Sequence, residues 1–491
     1  MTIEINGTTV IDNNRNLLNT TSIQFQGGGT QTTLSASGIG SLLYDAKERI
    51  HAFQDPDIVQ ATNTDTFSDF ANSISIYGNL MAVSAKGEDR PAASNTPPVG
   101  QDDNGVVYIF DIEKKKLLNV IYNPDYSPAS NQYFGAKVKL YGKTLAVSTT
   151  SSLSSSGNVY LFDAETGSLL WAFGNPNSLS ATSSEYFGWD MDLYQNYLIV
   201  GTPNADAEST RYGTAHVFDV NTGIQIRTFL NPILDSNTAL GQFGDSVAIC
   251  PPYAIIGAPE VDDSASIYKV GRAYLYNIFT GELVRTIDLP ETLGRTLDFF
   301  GTEVAINETH YFVGSSRWTT NSSTSTTGRI YIFDIETGTL QRTIENPSSS
   351  LGQGGTGGDG FGDSFEVHGN KLVANCPNEE HPLYFTTSDS RYISDGVVYI
   401  YDWTNGDLLQ VYYNPNNSGS LGDVFGKSVS MYGNRLVVGS DSGPNTTGTG
   451  GKIDHVHMFS VEKSYRVRGV RNITFDNGLT LDSQHMALQP A

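Results

Sequence analysis

The sequence predicts an all-β chain: a seven-bladed β-propeller of four-stranded antiparallel blades, with an N-terminal strand closing the ring and an extension segment at each end. Three observations carry that expectation. One motif recurs seven times at intervals of 53 to 64 residues. Each unit holds four strand signals. The strands at the two chain ends balance if the ring is closed.

The recurring motif is Phe-Gly followed by an alternating apolar run. It stands at Phe134-Gly135, Phe187-Gly188, Phe243-Gly244, Phe300-Gly301, Phe361-Gly362 and Phe425-Gly426, with Phe70-Ala71 as a degenerate first member. Within a unit, FGxSVxI is strand a and xLVVG is strand b. A second block, such as GNVYLFDAETGSLLWAFGNP at 157–176, supplies strands c and d. Period-2 apolar runs of this length, separated by Gly-containing turns, are the signature of antiparallel strands. Between c and d, Asp-x-x-Thr-Gly suits a tight turn, because Asp bonds its own backbone and Gly supplies a positive φ. The seven Phe residues are expected to pack between blades, and the Gly residues to let neighbouring backbones approach.

Closure follows from the ends. Seven d strands end at Pro56, Pro124, Pro176, Pro232, Pro290, Pro347 and Pro415. The last unit has strands a, b and c but no Asn-Pro ending, whereas residues 49–54 form a d strand with no a, b or c before it. Pairing the two zips the ring and removes open sheet edges between blades. The run YRVRGV at 465–470 is the alternative seventh d strand. The expected organisation is therefore an arm over 1–38, the propeller over 39–463 and a tail over 464–491.

Composition agrees. At roughly 150 residues per domain, 491 residues would suggest about three domains, but repetition overrides that prior. Fifty glycines, 16% charged residues and 11% aromatics fit many short strands and argue against both disorder and a helical bundle. A net charge of −23 disfavours nucleic acid and anionic membrane surfaces as partners. No stretch reaches the ~18 apolar residues of a membrane helix, and the first 30 residues lack the pattern of a Sec signal peptide. Cys250 and Cys376 sit in apolar runs without metal-ligand spacing and are expected as buried thiols.

The pattern FGDSVAICPPYAIIGAPE (243–260) resembles FG-GAP-type propeller repeats, over residues 41–461. Integrin-type members of that group carry a DxDxDG calcium loop. Here Gln101-Asp102-Asp103-Asn104-Gly105 and Asp262-Asp263 come nearest, and neither alternates its oxygen ligands as such a loop requires. The block around Trp171 resembles the tryptophan-docking motif of quinoprotein propellers, but Trp171 alone occupies the docking place, and the adjacent Cys pair of those enzymes is missing. No cofactor and no metal are expected. The N-terminal segment MTIEINGTTVIDNNRNLLNTTSIQF resembles that of virion structural proteins in tailed phages of marine cyanobacteria. That resemblance implies a non-enzymatic virion protein, a tail-fibre or surface-appendage component located in the virion. It would contact other virion proteins through 1–38 and 464–491, assemble as a homo-oligomer, and display the propeller to a host-surface glycan or protein. A bacterial surface or secreted propeller that binds polysaccharide or protein is the second reading, and a polysaccharide-degrading enzyme the third.

Recognition is expected on the long, irregular b–c and d–a loops at one rim, not on the short a–b and c–d turns at the other. The candidate ligand residues there are Arg90, Arg211, Tyr212, Tyr268, Arg317, Trp318, Tyr384, Arg391 and Tyr392, because aromatic and Arg side chains together suit stacking and hydrogen bonding to polar ligands. No catalytic set is expected. The eight His residues are scattered, and His455 and His457, two apart on one strand, lack a partner at metal-ligand spacing.

Overall fold

A computed structural model describes residues 69–88, 104–125, 132–150, 157–176, 185–207, 210–211, 213–232, 241–262, 269–290, 297–316, 328–347, 360–379, 396–414, 423–442 and 455–461, together with the backbone pairing of seven short strands near the chain ends. Among the described residues there is no α-helix. Seven sheets of four antiparallel strands follow one another along the chain.

Blade 1 consists of strands a Phe70–Tyr77, b Leu80–Ala85, c Val106–Asp111 and d Lys116–Tyr122. Blade 2 is Phe134–Tyr141, Thr144–Thr149, Asn158–Asp163 and Leu169–Gly174. Blade 3 is Met191–Tyr194, Tyr197–Thr202, Thr214–Asp219 and Gln225–Leu230. Blade 4 is Val247–Cys250, Tyr253–Ala258, Arg272–Asn277 and Leu283–Asp288. Blade 5 is Phe300–Ile306, His310–Ser315, Arg329–Asp334 and Leu340–Glu345. Blade 6 is Phe365–His368, Lys371–Cys376, Val397–Asp402 and Asp407–Tyr413. Blade 7 takes a, b and c from Asp423–Tyr432, Arg435–Ser442 and His455–Ser460. Its fourth strand is His51–Gln54, antiparallel to strand c, with His455 opposite Gln54 and Met458 opposite His51. The N-terminal strand therefore closes the ring. YRVRGV does not: Val470 belongs to a strand, Val470–Phe475, that pairs with Ser22–Gly27.

The core is divided among seven apolar clusters, one at each blade interface. Leu80, Val107 and Ile121 of blade 1, for example, pack with Phe134, Val138 and Leu145 of blade 2. The last interface joins blade 7 to blade 1 through Val437, Val456 and Met458 against Phe70, Ile74 and Tyr108. All seven motif Phe residues are fully buried, and each packs against the aromatic or His ring of strand c in its own blade, as Phe243 does on Tyr274 at 5.5 Å. The Gly that follows six of them has φ between 85° and 93°, and a Cβ on Gly301 would lie 2.4 Å from the Arg272 carbonyl oxygen of the preceding blade. The expected roles of Phe and Gly hold. Strand a includes the motif pair in blades 1, 2, 5 and 7 and starts after it in blades 3, 4 and 6. Both cysteines are buried thiols.

The chain ends form a further four-stranded sheet in the order Thr480–Asp482, Val470–Phe475, Ser22–Gly27 and Thr30–Ser35. The arm and tail thus share one sheet, joined where Ser22–Gly27 pairs with Val470–Phe475.

Candidate functional site

Most of the loop residues singled out by the sequence lie outside the described residues: Arg90, Tyr212, Tyr268, Arg317, Trp318, Tyr384, Arg391 and Tyr392. Arg211 belongs to a two-residue strand, Thr210–Arg211, that pairs with Asp206–Ala207 in the b–c loop of blade 3. The described residues bring together two other groups, neither of them foreseen.

The first lines the axis. Strand a is the innermost strand, so its side chains alternate between the two neighbouring blades. The fourth and sixth residues after the motif Phe, such as Val138 and Leu140, enter the apolar cluster shared with the preceding blade. The third and fifth point to the following blade at the channel wall. In the third place stand Ser73, Lys137, Asp190, Ser246, Glu303, Ser364 and Ser428; in the fifth stand Ser75, Lys139, Asp192, Ala248, Ala305, Glu366 and Ser430.

These side chains solve an edge problem. An innermost strand leaves N–H groups without a ladder partner, and an unpaired buried N–H is costly. Ser73 Oγ accepts from Val138 N (3.1 Å) and Ser75 Oγ from Leu140 N (2.9 Å). Asp190 accepts from Val247 N (2.9 Å), Asp192 from Ile249 N (3.0 Å) and Glu366 from Met431 N (3.0 Å). Across the closing interface, Ile76 N donates to Ser430 Oγ (3.2 Å).

The same array carries charge. Lys137 Nζ is 3.5 Å from Asp190 and Lys139 Nζ is 3.7 Å from Asp192. Lys139 also interacts with Glu366, four blades on, which requires reach across the axis. With Asp245 beside them, five carboxyl groups face two lysines. Burial, reinforced by Asp190, pushes the Asp245 carboxyl up to about 7. Burial also raises Glu303, with Asp190 adding to the shift and Lys137 and Lys139 opposing it. Glu366 is raised by burial against the pull of Lys139. The attraction of Asp190 outweighs burial at Lys137, whose ammonium is held above its ordinary range. The wall is still reached by water, since 44% of the Lys137 side chain stays exposed. At the short-turn rim, rings gather around the axis: Tyr77 lies 4.7 Å from Tyr141 and 4.6 Å from Tyr432, Tyr141 lies 5.2 Å from Tyr194, and His368 lies 5.0 Å from Tyr432. Among the described residues, no three His, Cys, Asp or Glu groups converge closely enough to hold a metal ion. His457 is fully buried 5.8 Å from the Phe425 ring.

The second group begins with a latch on the outer strands. One position of strand d reaches to the c–d turn of the next blade. Asn119 donates to Ala164 O and Glu165 O, Trp171 Nε1 to Val220 O (2.8 Å), Arg227 to Phe279 O, Arg285 to Thr337 O (2.7 Å) and Arg342 to Thr404 O (3.1 Å). The turn glycine is the seat: a Cβ on Gly223 would lie 2.5 Å from the Trp171 ring, and one on Gly338 would overlap the Arg285 guanidinium. The Asx turn itself forms as expected, with Asp334 accepting from Thr337 N at 2.7 Å.

Between blades 5 and 6 the latch opens into a cleft of about 220 Å³, lined by His310, Ile332, Gln341, Arg342, Trp403 and Thr404. Trp403 follows Asp402 at the turn, where the other blades place Ile112, Ala164, Val220, Ile278, Ile335 and Val461. Its larger ring is held by Nε1 donating to Gly369 O (2.8 Å), by His310 at 4.8 Å and by Phe312 at 5.3 Å. His310 bonds Thr309 Oγ1 through Nδ1 (2.8 Å), and burial lowers its pKa, so the imidazole is neutral at pH 7. All six residues lie toward the a–b and c–d turns, at the rim opposite the irregular loops.

Sequence reasoning passed over both groups. The signal for the channel was a charged residue standing where other repeats have Ser. The signal for the cleft was a lone Trp in a column of small aliphatic residues. Compared with models of known families the chain finds no match, and none of the curated proteins searched is similar to it.

Proposed function

We propose that the chain is a non-enzymatic structural protein of a phage virion, a tail-fibre or surface-appendage component that displays a recognition propeller. The observation that carries this reading is the meeting of the two chain ends. Ser22–Gly27 pairs with Val470–Phe475 in a sheet apart from the blades, while His51–Gln54 completes blade 7. One tied stem leaving one place on a closed ring suits attachment at the ends and display of the rest. The resemblance of residues 1–25 to virion proteins of marine phages, and of the repeats to FG-GAP propellers, supports the same reading. So does the use of Asp190, Asp192 and Glu366 as fasteners between blades, which engages those carboxylates in structure. Contacts with other virion proteins through 1–38 and 464–491, homo-oligomerisation there, and binding of a host glycan or protein belong to the proposal. Mass spectrometry of purified virions tests it: the chain should be recovered with the other structural proteins, and its absence would remove the reading.

A further inference from the structure

The cleft between blades 5 and 6 has the chemistry of a small binding site. Three of the latches are arginines, yet the described cleft occurs where an Arg latch meets a Trp in the next turn. Trp403 supplies an aromatic wall beside Ile332. Arg342 donates one hydrogen bond, to Thr404 O, out of the five N–H donors of a guanidinium, and no carboxylate among the described residues pairs with it. The nearest acid on the turn, Asp402, is engaged by Thr404 N (3.0 Å), Thr404 Oγ1 (2.6 Å) and Asn370 Nδ2 (2.6 Å). His310 keeps Nε2 for a ligand, since its bond to Thr309 Oγ1 uses Nδ1. Gln341 donates to Thr339 Oγ1 through Nε2 and keeps its amide oxygen. An apolar wall, a planar cationic fork and two neutral polar groups thus converge on a volume of about 220 Å³. Drug-sized sites run to roughly 300–1,000 Å³, so this one holds a single ring.

We propose that this cleft binds one pyranose ring carrying an anionic group, the carboxylate of a uronic acid unit in a surface polysaccharide, with Trp403 against the C–H face of the sugar and Arg342 on the carboxylate. A guanidinium fork matches a carboxylate in plane and in spacing. His310 and Gln341 take the ring hydroxyls. The net charge of −23 opposes an anion at a distance, but 0.15 M salt screens beyond about 8 Å. This site rests on the recognition reading given above.

The test is calorimetric or NMR titration of the full chain at 0.15 M salt with methyl β-glucuronide, methyl β-glucoside and glucose 6-sulfate. Glucuronide should bind at least tenfold tighter than glucoside. Trp403→Ile, which restores the residue of blades 1, 4 and 5, should remove that binding while the chain keeps a single cooperative melt, and Arg342→Lys should erase the preference for the charged sugar. Equal binding of glucoside, no binding of glucuronide, or binding untouched by Trp403→Ile would each overturn the proposal, and tighter binding of the sulfate would overturn the carboxylate assignment. Capture of host polysaccharide separates this from the broader reading. If W403I still captures it, recognition stands and the cleft is not its place. If the native chain captures none yet binds glucuronide, the cleft stands and the host-recognition reading falls.

Discussion

The inner and outer margins of the ring solve one problem with different chemistry. At the axis, side-chain oxygens of one blade mostly accept from backbone N–H groups of the next, as Asp190 does from Val247, while Ser246 and Ser428 donate to carbonyls there. At the periphery, a side-chain donor of one blade reaches a backbone carbonyl of the next, as Arg285 does to Thr337. Both run in the same direction around the ring, and both fasten blades that otherwise meet through apolar clusters. Surroundings make the difference. The axis crowds carboxyl groups where solvation is reduced, and burial raises Asp245, Glu303 and Glu366 there. The periphery is open to water, and its donors reach neutral carbonyls.

The largest expected effect removes an outer strand outright and opens the ring. Deleting residues 1–56 removes His51–Gln54 and exposes the edge of His455–Ser460 in blade 7. The shortened chain should lose its cooperative melt and aggregate through the open edge. Deleting residues 1–30 leaves the closing strand in place and should preserve the melt. Calorimetry of the two shortened chains decides it, and an unchanged melt for the longer deletion would defeat closure.

Next comes a direct contrast of the margins. Asp190→Ala leaves Val247 N–H without its acceptor and Lys137 without its nearest carboxylate. An unsatisfied buried group of that kind costs about 1–3 kcal/mol. Part of that loss is offset, because Asp190 adds to the burial that pushes Asp245 and Glu303 up. Arg285→Ala removes two partly exposed hydrogen bonds, to Thr337 O and Glu336 O, and should cost no more than about 1 kcal/mol. Urea denaturation ranks them, and a larger loss at Arg285 would reverse the contrast.

The pH response comes third. Asp245 has a folded pKa of about 7, above the ordinary carboxylate value. Between roughly pH 4 and 7 the folded state therefore holds a proton that the unfolded chain has released, and stability falls as pH rises through that window. The full shift is discounted because the channel admits water, leaving an effect on the order of 1–2 kcal/mol. Asp245→Asn should raise stability at pH 8 and flatten the fall between pH 5 and 8. Melting temperatures at the two values check it, and an unchanged slope in the variant would locate the pH dependence elsewhere.

The blades were legible because each repeats a local pattern. The motif Phe, the turn Asp and the closing strand can all be seen by laying the units under one another. The margins were not, because their meaning depends on the neighbouring blade. Trp171 is conspicuous as a lone docking Trp, yet Asn119, Arg227, Arg285 and Arg342 serve the same place with different chemistry, so identity hides what geometry shares. Lys137, Asp190 and Glu303 stand in a column otherwise filled by Ser, where any side chain with a polar tip satisfies the local pattern. Their grouping exists only once the ring brings distant repeats to one axis. Trp403 was visible as a residue but not as a cleft, since the space depends on His310 and Arg342 of the blade before it.

The smallest expected effect lies where the repeat itself is imperfect. Ala71 stands in the place of the motif Gly and has φ of 68°, a region that costs an L-residue roughly 1–2 kcal/mol. Blade 7 accommodates it with Gly439, where a Cβ would lie 3.1 Å from that of Ala71 and 2.9 Å from its carbonyl oxygen. Ser428 Oγ donates to the same oxygen at 2.7 Å, so the backbone is pinned despite the strain. Ala71→Gly removes the strain and keeps the hydrogen bond, while the unfolded chain gains freedom that offsets part of the benefit. A net gain of about 0.5–1 kcal/mol is expected, measured as a rise in the urea midpoint at constant slope. A loss of stability in Ala71→Gly would mean that the alanine methyl contributes more to the closing interface than its backbone costs.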